Sequence, residues 1–225
     1  MPSESDLVNT HICNVKPGAD KESPGLEILT SISKAFQLNE NTLGYLRQTY
    51  RSSDDKWFKF TIFNNSGQNY VYIIDGAKIN KHSVCMIEGL LDVTKDTEEY
   101  LDLKMAYNNL IIFKNENGSN MESMSDETKS ECLNLINQVN LMIDRNIKCM
   151  PVMAAGSGSV NDDGSICIND KSGHYKPNVR TMQISKYVFE QNTNGATVYV
   201  KEKVNKDELK TKYGKNAENF NGICL

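Results

Sequence analysis

Along the chain, hydrophobic positions at helical spacing are interspersed with strand-like runs. Residues 1–24 are polar and broken by Lys16-Pro17-Gly18 and Ser23-Pro24-Gly25, which predicts an extended or mobile arm. Leu26, Ile28, Leu29, Ile32, Ala35 and Phe36 lie near helical spacing and predict a first helix over 26–37. Leu43 and Leu46 predict a short second helix over 42–50. The character then changes. Lys56–Phe63 is aromatic and β-branched, Asn64-Asn65-Ser66-Gly67 is a turn signal, and Asn69–Ile74 resumes the run, so the segment predicts a β-hairpin. Asp75-Gly76 marks another turn. Ser83–Ile87 predicts a third strand, and Asn109–Phe113 a further one. Residues 96–107 fit a short acidic helix or a strand, because Tyr100, Leu101, Leu103 and Met105 do not decide the period.

The clearest helix runs from about 126 to 145. Cys132, Leu135, Ile136, Val139, Met142 and Ile143 form its apolar stripe, and Ser123 or Ser125 caps it. Small apolar residues from Pro151 to Val160, the turn Asn161-Asp162-Asp163-Gly164 and the run Ser165–Ile168 predict a second hairpin. Val179, Met182, Ile184, Tyr187 and Val188 predict a helix over 179–191. Residues 196–204 alternate like a strand, and 205–225 are polar. Strands outnumber helices without alternating regularly with them. The expected class is α+β, a largely antiparallel sheet with a long helix packed on it. The expected organisation is an arm over 1–24, a single domain over 25–204 and a tail over 205–225.

Composition narrows the function classes. The 225 residues are 39% hydrophobic and 24% charged, with a net charge of −4 spread along the chain. No basic tract is present, which argues against nucleic acid as a partner. No apolar run approaches the length of a membrane span. The opening Met1–Asp6 is polar and acidic, so no signal peptide is expected. Cysteines 13, 85, 132, 149, 167 and 224 form no CxxC pair. They are read as reduced thiols of a cytoplasmic protein, with Cys132 and Cys167 as small core residues.

Candidate chemistry concentrates between Cys149 and Pro177. Small residues in the first arm of the hairpin permit close approach of a backbone or a ligand, or tight packing against the helix at 126–145. Gly156-Ser157-Gly158 lacks the rest of a G-x-G-x-x-G frame, no Walker-type loop occurs, and no cofactor is expected. Ser172-Gly173-His174-Tyr175-Lys176-Pro177 marks a strand-to-helix corner. His174 supplies a base, Tyr175 a phenolic donor and Ser172 a hydroxyl. The alternative is that the same residues lock the corner. Cys149 and His174 form a conceivable nucleophile–base pair, with Asp162, Asp163 or Asp170 orienting the ring. The spacings His11-x-Cys13 and His82-x-x-Cys85, with His174, are looser than standard zinc modules, and no metal is expected. Trp57, Phe58, Tyr70 and Tyr72 read as core or cross-strand aromatics rather than a base-stacking platform.

Ala154-Ala155-Gly156, a hairpin with Asp-Gly at its turn, and Ser172–Pro177 together resemble the C-terminal part of the plant IQ-motif calmodulin-binding proteins. They also resemble related algal, bacterial and large-DNA-virus proteins. The resemblance covers about residues 152–177. It implies a shared domain fold and no demonstrated reaction. The plant family carries a His-Ser-Ser segment shortly before Ala-Ala-Gly; this chain has Asn146–Pro151 there. No IQ motif is present, so calmodulin is not an implied partner.

Two function classes follow. One is a binding or assembly protein whose partner is a protein or a small molecule and whose corner is structural. The other is a small transferase or hydrolase using His174, with Cys149, Ser172 and Tyr175. The lack of a complete catalytic set favours the first.

Overall fold

The computed structural model describes residues 23–147, 152–172 and 179–201. The arm to residue 22, Cys149, Gly173–Pro177 with His174 and Tyr175, and the tail from 202 lie outside the described residues.

Ser23 and Pro24, which read as chain breakers, instead open a helix. The Ser23 hydroxyl accepts from the Leu26 N–H at 3.3 Å, and Pro24 occupies the first turn of α1 (Pro24–Thr30). The helix predicted to reach residue 37 stops early. The Ser31 hydroxyl reaches Ser33 O and Asn80 Oδ1, and the Ile32 N–H donates to the same Asn80 oxygen. Such local side-chain bonding competes with helix propagation. The chain then enters β1 (Phe36–Gln37) and, after an Asn39–Thr42 capping box, α2 (Glu40–Thr49).

The first hairpin forms as predicted, from β2 (Phe58–Asn65) and β3 (Gln68–Asp75). Ser66 and Gly67 both have positive φ, 52° and 83°, as a two-residue type I′ connection requires. The next two predicted strands are helices. Ser83–Ile87 lies in α3 (His82–Val93), and Asn109–Phe113 lies in α4 (Leu101–Asn117). The first error has a physical cause. Val84, Cys85, Met86 and Ile87 are all buried, and a short apolar run reads alike in a buried strand or a buried helix. In α4 the inward positions are Leu103, Ala106, Leu110 and Phe113, a helical period that the exposed Ile112 interrupts.

The long helix α5 (Asp126–Asn146) is capped by Ser125, whose hydroxyl accepts from the Thr128 N–H. The second hairpin is β4 (Val152–Val160) and β5 (Ile166–Asn169), followed by α6 (Val179–Asn192) and β6 (Val198–Lys201). The strands form one sheet in the order β1-β3-β2-β4-β5-β6. All neighbours are antiparallel except β5 and β6. The fold is α+β.

Strand alternation sends side chains to two cores. Phe63, Tyr72 and Ile74 join α1, α3, α4 and α5 on one face. Phe58, Phe60, Val71 and Ile73 join Leu46 of α2 and Met182, Val188 and Phe189 of α6 on the other. α3 packs directly on β2 and β3, while α5 packs on α1 and α4. The glycines of β4 do not serve the long helix. A Cβ on Gly156 would sit 2.8 Å from the Phe60 ring, and one on Gly158 2.5 Å from the Phe58 ring. Both rings pack with Phe189 of α6, so these glycines make room for phenyl groups on the opposite face. Among the described residues, no helix is long and apolar enough to cross a membrane.

Candidate functional site

A lysine in the middle of an apolar strand is the starting point. Because Phe58 and Phe60 face α6, Lys59 between them must face α3. Its partner across the β2–β4 register is Ser157. The Lys59 ammonium donates to the carbonyls of Ala77 (2.7 Å) and Asn80 in the loop between β3 and α3. That loop is tied at several further points. Asp75 Oδ1 accepts from the Ala77 N–H, and the buried Asn80 amide donates to Asp75 O. Asn80 Oδ1 also accepts from Ser31 and Ile32, so the loop is anchored to the end of α1.

This scaffold presents a cleft of about 500 Å³. Lys59 and Ser157 contribute from the sheet, and Lys78, Asn80, Lys81 and His82 from the loop and the first residue of α3. Asp170, Lys171 and Ser172 contribute where the chain leaves β5, and Trp57 lies just before β2. The Ser157 hydroxyl donates to the Lys171 carbonyl at 3.1 Å, which fixes the wall against the sheet. His82 Nε2 lies 2.8 Å from the carbonyl oxygen of Gly156, an acceptor, so Nε2 carries the proton.

The electrostatics are one-sided. Among the described residues, four lysines line the cleft against one carboxylate, Asp170, although the chain as a whole is acidic. Burial pushes the Lys59 ammonium below its ordinary value; the charge of Lys81 pushes the same way and Asp75 opposes it. α3 also begins with Lys81 at its cap position and has no acidic residue in its first turn. That is the reverse of the charge that favours a helix start. The described lining of the cleft thus carries more cationic than anionic side chains. The Lys59 ammonium, the His82 N–H, the Asn80 amide and the Ser157 hydroxyl donate to backbone carbonyls within the fold, so the cleft would meet an anionic group chiefly through the ammonium charges of its lysines.

Of the sequence candidates, Ser172 lines this cleft, whereas Cys149, His174 and Tyr175 fall outside the described residues. The two residues of the conceivable metal set that are described have other partners. His82 bonds Gly156, and Cys85 is buried between Thr61 and the Tyr72 carbonyl. Among the described residues, no group of three or more His, Cys, Asp or Glu could hold a metal ion. Lys59, Lys78, Lys81 and Lys171 were missed by sequence reasoning. Only Lys59 left a local signal, as a cation inside Phe-Lys-Phe-Thr-Ile-Phe. No family model, curated protein or solved structure matches the chain, so its functional reading rests on the geometry of this cleft.

Proposed function

We propose that the chain is a binding protein for a small anionic molecule, held in the cleft between β2, β4 and the start of α3. The observation that carries this reading is the convergence of Lys59, Lys78, Lys81 and Lys171 on one concave site of about 500 Å³. Pockets of that size enclose small ligands, and lysine recognises phosphate or carboxylate as a point charge. Lys59 and the tied loop form one part of the lining, and Lys78, Lys81 and Lys171 add further ammonium groups. Ser172 borders the site.

The chain has a single tryptophan, Trp57, and it lines the cleft. Its fluorescence reports occupancy directly. Titration with inorganic pyrophosphate at low ionic strength should give a saturable change at millimolar concentration or below, on the order of −4 kcal/mol or better. The change should weaken with added salt, and Lys78→Ala combined with Lys171→Ala should abolish it. A flat titration by both fluorescence and calorimetry, for pyrophosphate and for citrate, would overturn the proposal.

A further inference from the structure

The rim of the cleft carries a second kind of group beside its cations. Trp57 stands immediately before β2, and its carbonyl accepts from the Gly76 N–H at 2.9 Å, extending the hairpin by one step. Gly76 lies directly against the indole. A Cβ there would come within 2.3 Å of Trp57 Cδ2. The Lys59 ammonium sits 5.3 Å from the ring centroid, a cation–π distance. The indole is thus held by backbone and by Lys59, yet 43% of the residue's surface stays exposed. A large aromatic side chain that lines a lysine-bearing cleft and stays partly exposed puts aromatic surface next to the candidate anion site. An inorganic anion has no use for such a face. A ligand with a planar ring at one end and phosphate at the other uses both.

We infer that the anionic ligand is a nucleotide, with its base stacked on Trp57 and its phosphates held among Lys78, Lys81 and Lys171. This rests on the anion-binding reading above. Base–aromatic stacking tolerates any base, because each has a π-face. The site as described therefore selects a nucleotide over a bare polyphosphate more strongly than it selects one base over another.

The test compares ATP with inorganic tripolyphosphate by calorimetry on the full chain, with Trp57→Ala, Trp57→Phe and the Lys78→Ala/Lys171→Ala double variant. ATP should bind on the order of tenfold tighter than tripolyphosphate, the contribution of one stacked base. Trp57→Ala should bring ATP down to the tripolyphosphate affinity and leave tripolyphosphate itself unchanged. Trp57→Phe keeps a ring and should retain most of the preference, which guards against a folding defect in the alanine variant. The double lysine variant should weaken both ligands alike. Equal affinities for ATP and tripolyphosphate in the wild-type chain would overturn the nucleotide inference and leave the anion site standing. So would a preference for ATP that survives Trp57→Ala. Binding of neither ligand would overturn both readings.

Discussion

The His82 imidazole donates through Nε2 to the carbonyl of Gly156, 2.8 Å away and 74 positions along the chain. Gly156 lies one residue beyond the β4–β5 ladder, whose first pair is Ser157 with Asn169. Gly156 also pairs with Phe60 in the β2–β4 ladder, so the histidine at the head of α3 adds a bond to a carbonyl of a central strand and pins α3 to β4 beside the lysine cleft. His82→Phe keeps a ring but removes the donor. Loss of one buried hydrogen bond costs about 0.5–1.5 kcal/mol. Urea unfolding should show a lower midpoint with an unchanged slope. A midpoint equal to that of the wild type would mean that the bond contributes nothing to α3 docking.

Glycine-to-alanine exchanges should shift stability in opposite directions at two sites. A Cβ on Gly156 would meet Asn169 O at 2.1 Å and the Phe60 ring at 2.8 Å, both in a packed interior. Gly156→Ala should destabilise by roughly 1–3 kcal/mol, the usual cost of forcing atoms into a filled core. Gly44 is an exposed position inside α2 with nothing within 4 Å of a new Cβ. Gly44→Ala should stabilise by about 0.5–1 kcal/mol by restricting the unfolded chain and improving helix propensity. Thermal melts of the two variants should move apart around the wild type, and a shared direction would contradict this account of β4 packing.

The sequence made the helix at 126–146 and both hairpins legible, because each combines a period with its own turn or cap signal. Ser125 marks one end of the long helix, and Ser66-Gly67 and Asn161–Gly164 mark the reversals. What could not be read were the buried apolar run of α3 and the interrupted period of α4. α3 is apolar around most of its circumference, so no period distinguishes it from a strand. The parallel pairing of β5 with β6 likewise left no local mark, since it depends on α6 crossing between them. Little of the cleft was visible for the same reason. Its cations come from β2, the loop before α3 and the end of β5, and Lys59 and Lys171 are brought together only by the pairing of β4 with both neighbours. Ser172 was singled out by the chemistry of its own neighbourhood. Trp57 was read as a packing residue, whereas its surface is 43% exposed at the cleft.

The described cysteines should be inert in the folded chain. Burial pushes the Cys85 thiol up to about 12, and the Thr61 hydroxyl bonded to the sulfur only partly opposes that shift. Its S–H donates to the Tyr72 carbonyl at 3.2 Å, and Cys132 and Cys167 are buried as well. The thiolate is the reactive form, so alkylation at mildly alkaline pH should leave all three unmodified. Denaturant should expose them fully. Peptide mapping distinguishes these positions from the other cysteines of the chain. Rapid native labelling of Cys85 would show that α3 detaches from β2 and β3 far more readily than its packing implies.

Glu88 on α3 should make stability fall as pH rises out of the acid range. Its carboxylate accepts from the Ala35 N–H and from the Tyr107 hydroxyl, each at 2.6 Å, inside the core shared by α3 and α4. Burial raises its pKa above the ordinary 4.5, and the two hydrogen bonds and the charges of Lys34 and Lys114 offset this only in part. The folded chain therefore holds the Glu88 proton more tightly than the unfolded chain does. Stability is greatest where both states are protonated, declines from about pH 4.5 up to the folded pKa, and stays lower above it. Glu88→Gln keeps an acceptor for Ala35 and removes the titration. The stability of this variant relative to wild type should rise with pH across that window, by about 1.4 kcal/mol for each unit by which folding raises the pKa. Tyr107→Phe acts in the opposite sense. It removes a donor to the carboxylate, so it should destabilise the chain more at neutral pH than in acid. Urea unfolding of the three proteins from acid to neutral pH measures both slopes. A difference between Glu88→Gln and wild type that is flat in pH, or that falls as pH rises, would show instead that Lys34 and Lys114 hold Glu88 as a paired carboxylate.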